Sequence, residues 1–221
     1  MKFHLSHILF FVVLLLSPLS LFAHPHSYIF ANCTLEFEEG KAKGLWVEFE
    51  FDSLFSGEVN FGFDQNRDGI FNERETAELE EYVFSSFKDF NYFTFIRMGK
   101  ERYLPENVKH FSARQEGFES LIFRFFVPLE DFPHRDFHIA LYDSSFFCSC
   151  RLNEEVPDNR VTEDFFRTTG TGIPDITVTV GKNKEFPVYY NPESPPTDLT
   201  TYSEWEPGLA TYIPEEIHVQ F

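Results

Sequence analysis

Asp64, Asn66, Asp68, Ile70, Asn72 and Glu75 fall at the first, third, fifth, seventh, ninth and twelfth places of one short segment, with Gly69 at the sixth. This is the spacing with which an EF-hand loop wraps a calcium ion. Asp64, Asn66 and Asp68 each offer one side-chain oxygen, and Ile70 its backbone carbonyl. Asn72 acts directly or through water, and Glu75 closes the shell with both carboxylate oxygens. Gly69 permits the sharp turn between the two halves. An ordinary acidic turn would explain Asp68-Gly69, but not the whole set in register. The sequence therefore predicts Ca2+ in a structural role. A lone loop with no second copy lacks the paired helices through which sensors respond.

A second candidate chemistry sits near the amino terminus. Met1 to Ala23 reads as a secretory signal: Lys2, an apolar run from Ile8 to Leu16, a break at Ser17-Pro18, then Leu21-Phe22-Ala23. Cleavage after Ala23 makes His24 the first residue of a periplasmic protein. Its free amine and imidazole can chelate one ion, and His26 approaches from two residues on. Imidazole suits zinc, nickel, cobalt and copper. Pro25 has no amide hydrogen, which damages the copper and nickel motif built on deprotonated backbone nitrogens. The plainer reading is a frayed end carrying two incidental histidines. His134 and His138 have a zinc spacing for a helix, but they lie in a strand-like stretch that sets them too far apart for one ion. His110 and His218 read as lone structural or surface histidines.

The elements that must position these groups are mostly strands. Alternation of apolar and polar residues from Ser27 to Glu39 and from Leu45 to Asp52 predicts a hairpin with one wet face. The stretch Leu54 to Phe63 carries Gly57 and Gly62 and reads poorly as a helix. Leu79, Tyr82, Val83, Phe87 and Phe90 repeat at helical spacing, predicting one helix over about 73–90. Strand-like runs follow from Tyr92 to Val180, with Phe137 to Cys150 read as one of them. The expected fold is mainly β with one helix: an antiparallel β-sandwich carrying an EF-hand-like loop-helix insertion. In domain terms the chain divides into a signal peptide (1–23), a β-sandwich domain (24–181) and a proline-rich irregular arm (182–221), with Ile217 to Phe221 a candidate last strand.

Composition narrows the function. A formal charge of −18 excludes nucleic-acid binding through phosphate contacts. Thirty phenylalanines supply a packed core and exclude general disorder. No later segment is long and apolar enough to span a membrane. Cys33, Cys148 and Cys150 make an odd set for an exported chain. The simplest expectation is one disulfide from Cys33 to Cys148 or Cys150, with a soft-metal site as the alternative. No nucleophile elbow, nucleotide-binding glycine loop or H-E-x-x-H motif is present, so the chain reads as no enzyme.

His24-Pro25-His26 after a signal, the hairpin end Phe51-Asp52-Ser53-Leu54-Phe55-Ser56, the loop Asp64 to Glu75, the run Asn91-Tyr92-Phe93-Thr94 and Leu141-Tyr142-Asp143 occur in a recognisable order. Together they resemble a bacterial family of uncharacterised periplasmic components labelled as belonging to an ABC-type transport system. One branch resembles the periplasmic partner of the Zev-type zinc-uptake system. The likeness covers Ala23 to Arg151 well and the remainder poorly. It implies divalent-metal handling beside an inner-membrane transporter of the nickel/cobalt type, with His24 and His26 as ligands for Zn2+ or Ni2+/Co2+. Asp143, Asp52 or a cysteine could complete that shell. Family members usually follow the Tyr-Asp with proline, whereas this chain runs Ser144-Ser145-Phe146-Phe147-Cys148. The rival expectation is a calcium-stabilised β-sandwich that binds another protein or the envelope. A copper enzyme built on His24 would need a distant second histidine for which the sequence offers no support.

Overall fold

The computed structural model describes residues 25–129, 135–152, 165–195 and 197–221. The signal segment, His24 and His134 lie outside the described residues. Strands dominate. The hairpin β1 (Ser27–Glu38) and β2 (Lys41–Phe51) is antiparallel from Ile29↔Phe51 to Glu38↔Lys41. Ile29, Ala31, Cys33, Leu35 and Phe37 of β1 and Leu45, Val47, Phe49 and Phe51 of β2 are all buried. The period of two is what a strand with one packed face requires.

β3 (Thr94–Met98), β4 (Glu101–Tyr103), β5 (Lys109–Gln115), β6 (Leu121–Pro128), β7 (Asp136–Leu141) and β8 (Cys148–Leu152) follow, then β9 (Phe166–Gly170) and β10 (Thr177–Lys182). The late strands are β11 (Val188–Tyr190), β12 (Ala210–Tyr212) and β13 (Glu215–Gln220). One sheet runs β5-β6-β2-β1-β8, with β9 also on β1, and a second runs β10-β13-β7-β3-β4. β11 and β12 pair by themselves. One hydrophobic cluster draws on both sheets, from Phe49, Phe123 and Phe125 to Phe137, Ile139, Ile217 and Val219.

Several expectations need correction. The first sheet is mixed, because β8 and β9 both run parallel to β1 along successive stretches of its edge. The stretch Phe137 to Cys150 is two strands in two different sheets, joined through Tyr142 to Phe147. The late segment is also not all irregular, since β13 lies between β10 and β7 in the second sheet.

The helical region differs as well. Ser53–Phe63 forms α1 despite its two glycines. Asp52 caps it, accepting from Leu54 N and Phe55 N at 3.0 and 3.1 Å. Two further hydrogen bonds dock it on the start of β6 and the loop before it: Ser56 Oγ accepts from Leu121 N, and Asn60 Nδ2 donates to Phe118 O; Val59 on the same helix is buried. A cap contributes about 1 kcal/mol, of the order of one glycine's penalty, and the docking bonds add to it. Glu73–Tyr82 forms α2, and the expected single helix stops there. Phe84–Phe93 continues as a 3₁₀ segment, with Asn91, Tyr92 and Phe93 at positive φ. Phe84 and Phe87 stand one three-residue turn apart, and the kink at Phe90 to Tyr92 then turns Phe93 back toward Phe87. Phe84 stacks on Phe111 at 4.3 Å, and Phe87 meets Phe93 at 4.8 Å. No described helix is long and apolar enough to cross a membrane.

Candidate metal centres

The loop between α1 and α2 holds the six oxygen-bearing positions. Asp64 Oδ2 accepts from Gly69 N at 2.9 Å and Oδ1 from Asp68 N at 3.2 Å. Asn66 Oδ1 accepts from Asp68 N, and Asp68 Oδ1 accepts from Ile70 N. These bonds fold the loop inward upon its first residue, with Arg67 and Gly69 at φ +58° and +81°. Asn72 and Glu75 form a capping box at the start of α2: Asn72 Oδ1 accepts from Glu75 N, and Glu75 Oε2 accepts from Asn72 N. Glu75 Oε1 accepts from Gln65 N, so the last position is tied back to the second. Asp64 and Glu75 are 7% and 2% exposed. Partial burial opposes ionisation of Asp64, but donors from Gly69, Gln115, Arg67 and Asp68 hold it below the usual carboxylate range. The loop thus holds a preorganised set of oxygen atoms, with Arg74 turned to Gln65 and Glu78, and oxygen is the donor that a hard divalent cation takes.

The second region lies where β1 begins. His26 N donates to Phe147 O at 2.8 Å, and the imidazole leans on the Phe147 ring at 5.1 Å. Asp52 and Asp143 both lie close by. Asp52 Oδ2 accepts from Ser27 Oγ and Tyr28 N at 2.6 and 2.7 Å, and its Oδ1 serves the α1 cap. Burial would raise its pKa, but these four donors hold it below the ordinary value. Asp143 Oδ1 accepts from Ser145 N and Ser145 Oγ, and Oδ2 from Cys148 N. Burial pushes its carboxyl up in spite of those donors. Both carboxylates thus spend their lone pairs on backbone and hydroxyl donors, and among the described residues no three ligand atoms of this region come together as they would around one ion.

The cysteines do not form the expected bridge. All three are free thiols. Cys148 pairs with Ser27 and Cys150 with Ile29, whereas Cys33 lies opposite Phe166. Four residues along β1 separate Ile29 from Cys33, about 13 Å at the usual rise, against a Cα separation of roughly 4.4–6.8 Å in a disulfide. Burial raises all three thiols well above their ordinary pKa. They stay protonated, which suits packing rather than metal binding.

The third region was not foreseen. His138 of β7 and His218 of β13 are register partners. Their rings stack at 4.1 Å with 5° between planes. Asp136 sits two residues before His138, on the same face, and its Oδ1 lies 2.7 Å from His218 Nε2. Gln220 Nε2 donates to Asp136 Oδ2 at 2.9 Å. One ligand atom from each of Asp136, His138 and His218 falls within 4.8 Å of the others. His110, the other lone histidine, sits at a bulge in β5 with its ring 5.9 Å from Trp46.

A family model described as "Protein of unknown function (DUF1007)" matches residues 9–221. The chain belongs to the DUF1007 family. The match spans all three regions above, including the late strands that the resemblance seen in the sequence covered poorly. This DUF1007 chain is also 32% identical over 97 residues to an uncharacterized 15.5 kDa protein in the trpE 3' region of Spirochaeta aurantia, covering 42% of this chain and 68% of that one. No solved structure matches it. Within the DUF1007 chain, sequence reasoning weighed His138 with its neighbour His134, and His138 and His218 singly as distant partners for His24, and missed Asp136 and the pairing of the two histidines. The available signal was weak: Asp136-Phe137-His138 and His218-Val219-Gln220 both alternate polar with apolar, placing the polar groups on one face of each strand. Nothing local says that these two strands pair.

Proposed function

We propose that this protein is an exported divalent-metal-binding accessory protein of a zinc, nickel or cobalt transport system. It holds the transition metal at His24 and His26 and presents it to an inner-membrane transporter. In this reading the two sheets form a β-sandwich, and α1, the loop and α2 are its EF-hand-like insertion, braced by calcium on Asp64, Asn66, Asp68, the Ile70 carbonyl, Asn72 and Glu75.

The observation that carries the reading is the fixing of His26. Its amide is bonded to Phe147 and its ring rests on the Phe147 side chain. An imidazole restrained in this way loses less freedom on taking a metal than one on a frayed end. The Asp64–Glu75 hydrogen-bond pattern supports the calcium brace. The test is Zn2+ binding by protein purified from the periplasm with its natural amino terminus, in excess calcium. A single-residue extension before His24 is expected to weaken zinc binding by removing the chelating amine, as is His24→Ala with His26→Ala. Unchanged affinity in both would overturn metal delivery from this end.

Exposed apolar side chains favour a second reading, a calcium-stabilised interaction protein of the envelope. Leu54, Phe61, Ile70 and Phe118 are each at least 60% exposed around the α1–α2 region. Such a protein would keep its partner after loss of both amino-terminal histidines, and lose it when calcium is removed.

A further inference from the structure

We propose that Asp136, His138 and His218 form a second transition-metal site, for zinc or a metal of its class, on the outward face of the second sheet. Two imidazoles and one carboxylate are the ligand set of open three-ligand zinc sites, whose remaining positions take water or a further ligand. Imidazole nitrogens exclude calcium and magnesium as the natural occupants. The site does not involve the amino-terminal histidines, so its standing is separate from theirs.

Four observations converge. The register of β7 and β13 fixes both histidines opposite each other, so the pair is set by the sheet and not by mobile loops. His138 Nδ1 is shielded from solvent and has no hydrogen-bond partner among the described residues. A cleft of about 270 Å³ opens over the pair, lined also by Thr179, the neighbour of His218 on β10, and by Lys182 and Asn183. That is room for an ion with several waters, each near 30 Å³. Finally, Arg97, which lines the same cleft, is held by both carboxylate oxygens of Glu216 at 3.0 and 2.6 Å, which offsets its repulsion of an incoming cation.

Binding requires a modest rearrangement. Two ligands of a tetrahedral zinc stand roughly 3.3 Å apart, given bonds near 2.0 Å. The 2.7 Å contact between Asp136 Oδ1 and His218 Nε2 must therefore open by some tenths of an ångström. In the neutral His218 ring the proton moves from Nε2 to Nδ1 by exchange with solvent, so that the Nε2 lone pair passes to the metal and the imidazole stays neutral. The stacked rings tilt toward each other, a rotation about soft terminal torsions. Gln220 remains to orient the carboxylate from behind.

The test is a Zn2+ titration of full-length exported protein in millimolar calcium, comparing wild type, His24→Ala/His26→Ala, and that double variant with His218→Gln or Asp136→Asn added. The double variant is expected to keep one zinc equivalent, and each added substitution to weaken it about tenfold or more. Loaded with Co2+, the double variant is expected to show visible bands of a low-coordinate site, lost with His218→Gln. Thermal unfolding checks each protein, and the exposed Asp136→Asn serves if His218→Gln fails to fold. A double variant that binds no zinc, or binds it equally after Asp136→Asn, overturns the site. Zinc kept only here would instead sink the amino-terminal reading and leave this one standing.

Discussion

His138 and His218 meet face to face across β7 and β13, their rings parallel within 5° and 4.1 Å apart. Eighty positions of chain separate them, and one strand pairing removes that distance.

Calcium is expected to raise the melting temperature of the wild-type protein. At a hundredfold excess over the dissociation constant the gain is on the order of 3 kcal/mol. Glu75→Gln is expected to remove most of that gain, because one carboxylate that closes the shell becomes a neutral amide. Glutamine keeps only one of the two acceptor oxygens that serve Asn72 N and Gln65 N, so the metal-free variant should also be about 1–3 kcal/mol less stable than the metal-free wild type. Calorimetry with and without chelator separates the two effects. No calcium-dependent shift in the wild type would reduce the loop to a turn.

Asp52 should shape the acid side of the stability curve. Its folded pKa lies below the unfolded value, because Ser27, Tyr28, Phe55 and Leu54 all donate to it. Its contribution is therefore complete above the unfolded carboxylate pKa and fades as pH falls through the lower folded one. Asp52→Ala is expected to cost about 1–2 kcal/mol at neutral pH. The gap to wild type should narrow in strong acid. Chemical unfolding from pH 7 down to 2 reads this directly, and a constant gap would mean that the loss is steric.

Mass spectrometry of the unfolded, non-reduced protein should show three alkylated thiols. Before unfolding, labelling should be slow, since Cys33 and Cys150 are buried and all three thiols have raised pKa values. A mass lower by two hydrogens would demonstrate a bridge and require the β1–β8 register to be different.

Arg97 and Glu216 form a buried, two-point ion pair that also meets Gly99 O and the Phe186 ring. Arg97→Met leaves Glu216 charged without its partner and should cost about 3–5 kcal/mol. The double change Arg97→Met/Glu216→Leu should recover much of the loss. Urea unfolding of the three variants provides the cycle.

How much of this was readable in the chain depends on how local each cause is. The alternation in β1 and β2 is a local pattern, and the strands form where it lies; the spacing from Asp64 to Glu75 is local too, and the structure puts those residues in the loop and capping box between α1 and α2. α1 was obscured because its stability comes from the Asp52 cap and from Ser56 and Asn60 meeting the β6 region, none of which has an apolar period. The change from α2 to the 3₁₀ segment was present only as Phe84 and Phe87, a three-residue step that a 3.6-residue template absorbs. The Asp136–His138–His218 cluster and the parallel placement of β8 and β9 depend on which distant strands pair, and strand order is not written in any window of the sequence. The cysteine bridge failed for the same reason: register, not compartment, decides which thiols meet.

The position of β13 sets an order of events. It is the latest strand in the chain, yet it is hydrogen-bonded on both sides, to β10 and to β7. Until it arrives, β7 and β10 each present an unpaired edge, and the sheet cannot close. Synthesis proceeds at roughly 5–20 residues per second, so a chain of this length spends many seconds without its keystone. A protein assembled in this way tends to stay unfolded while it is being made. His218 travels on that same strand, so a metal held against it and His138 is acquired only after β13 has docked between β10 and β7.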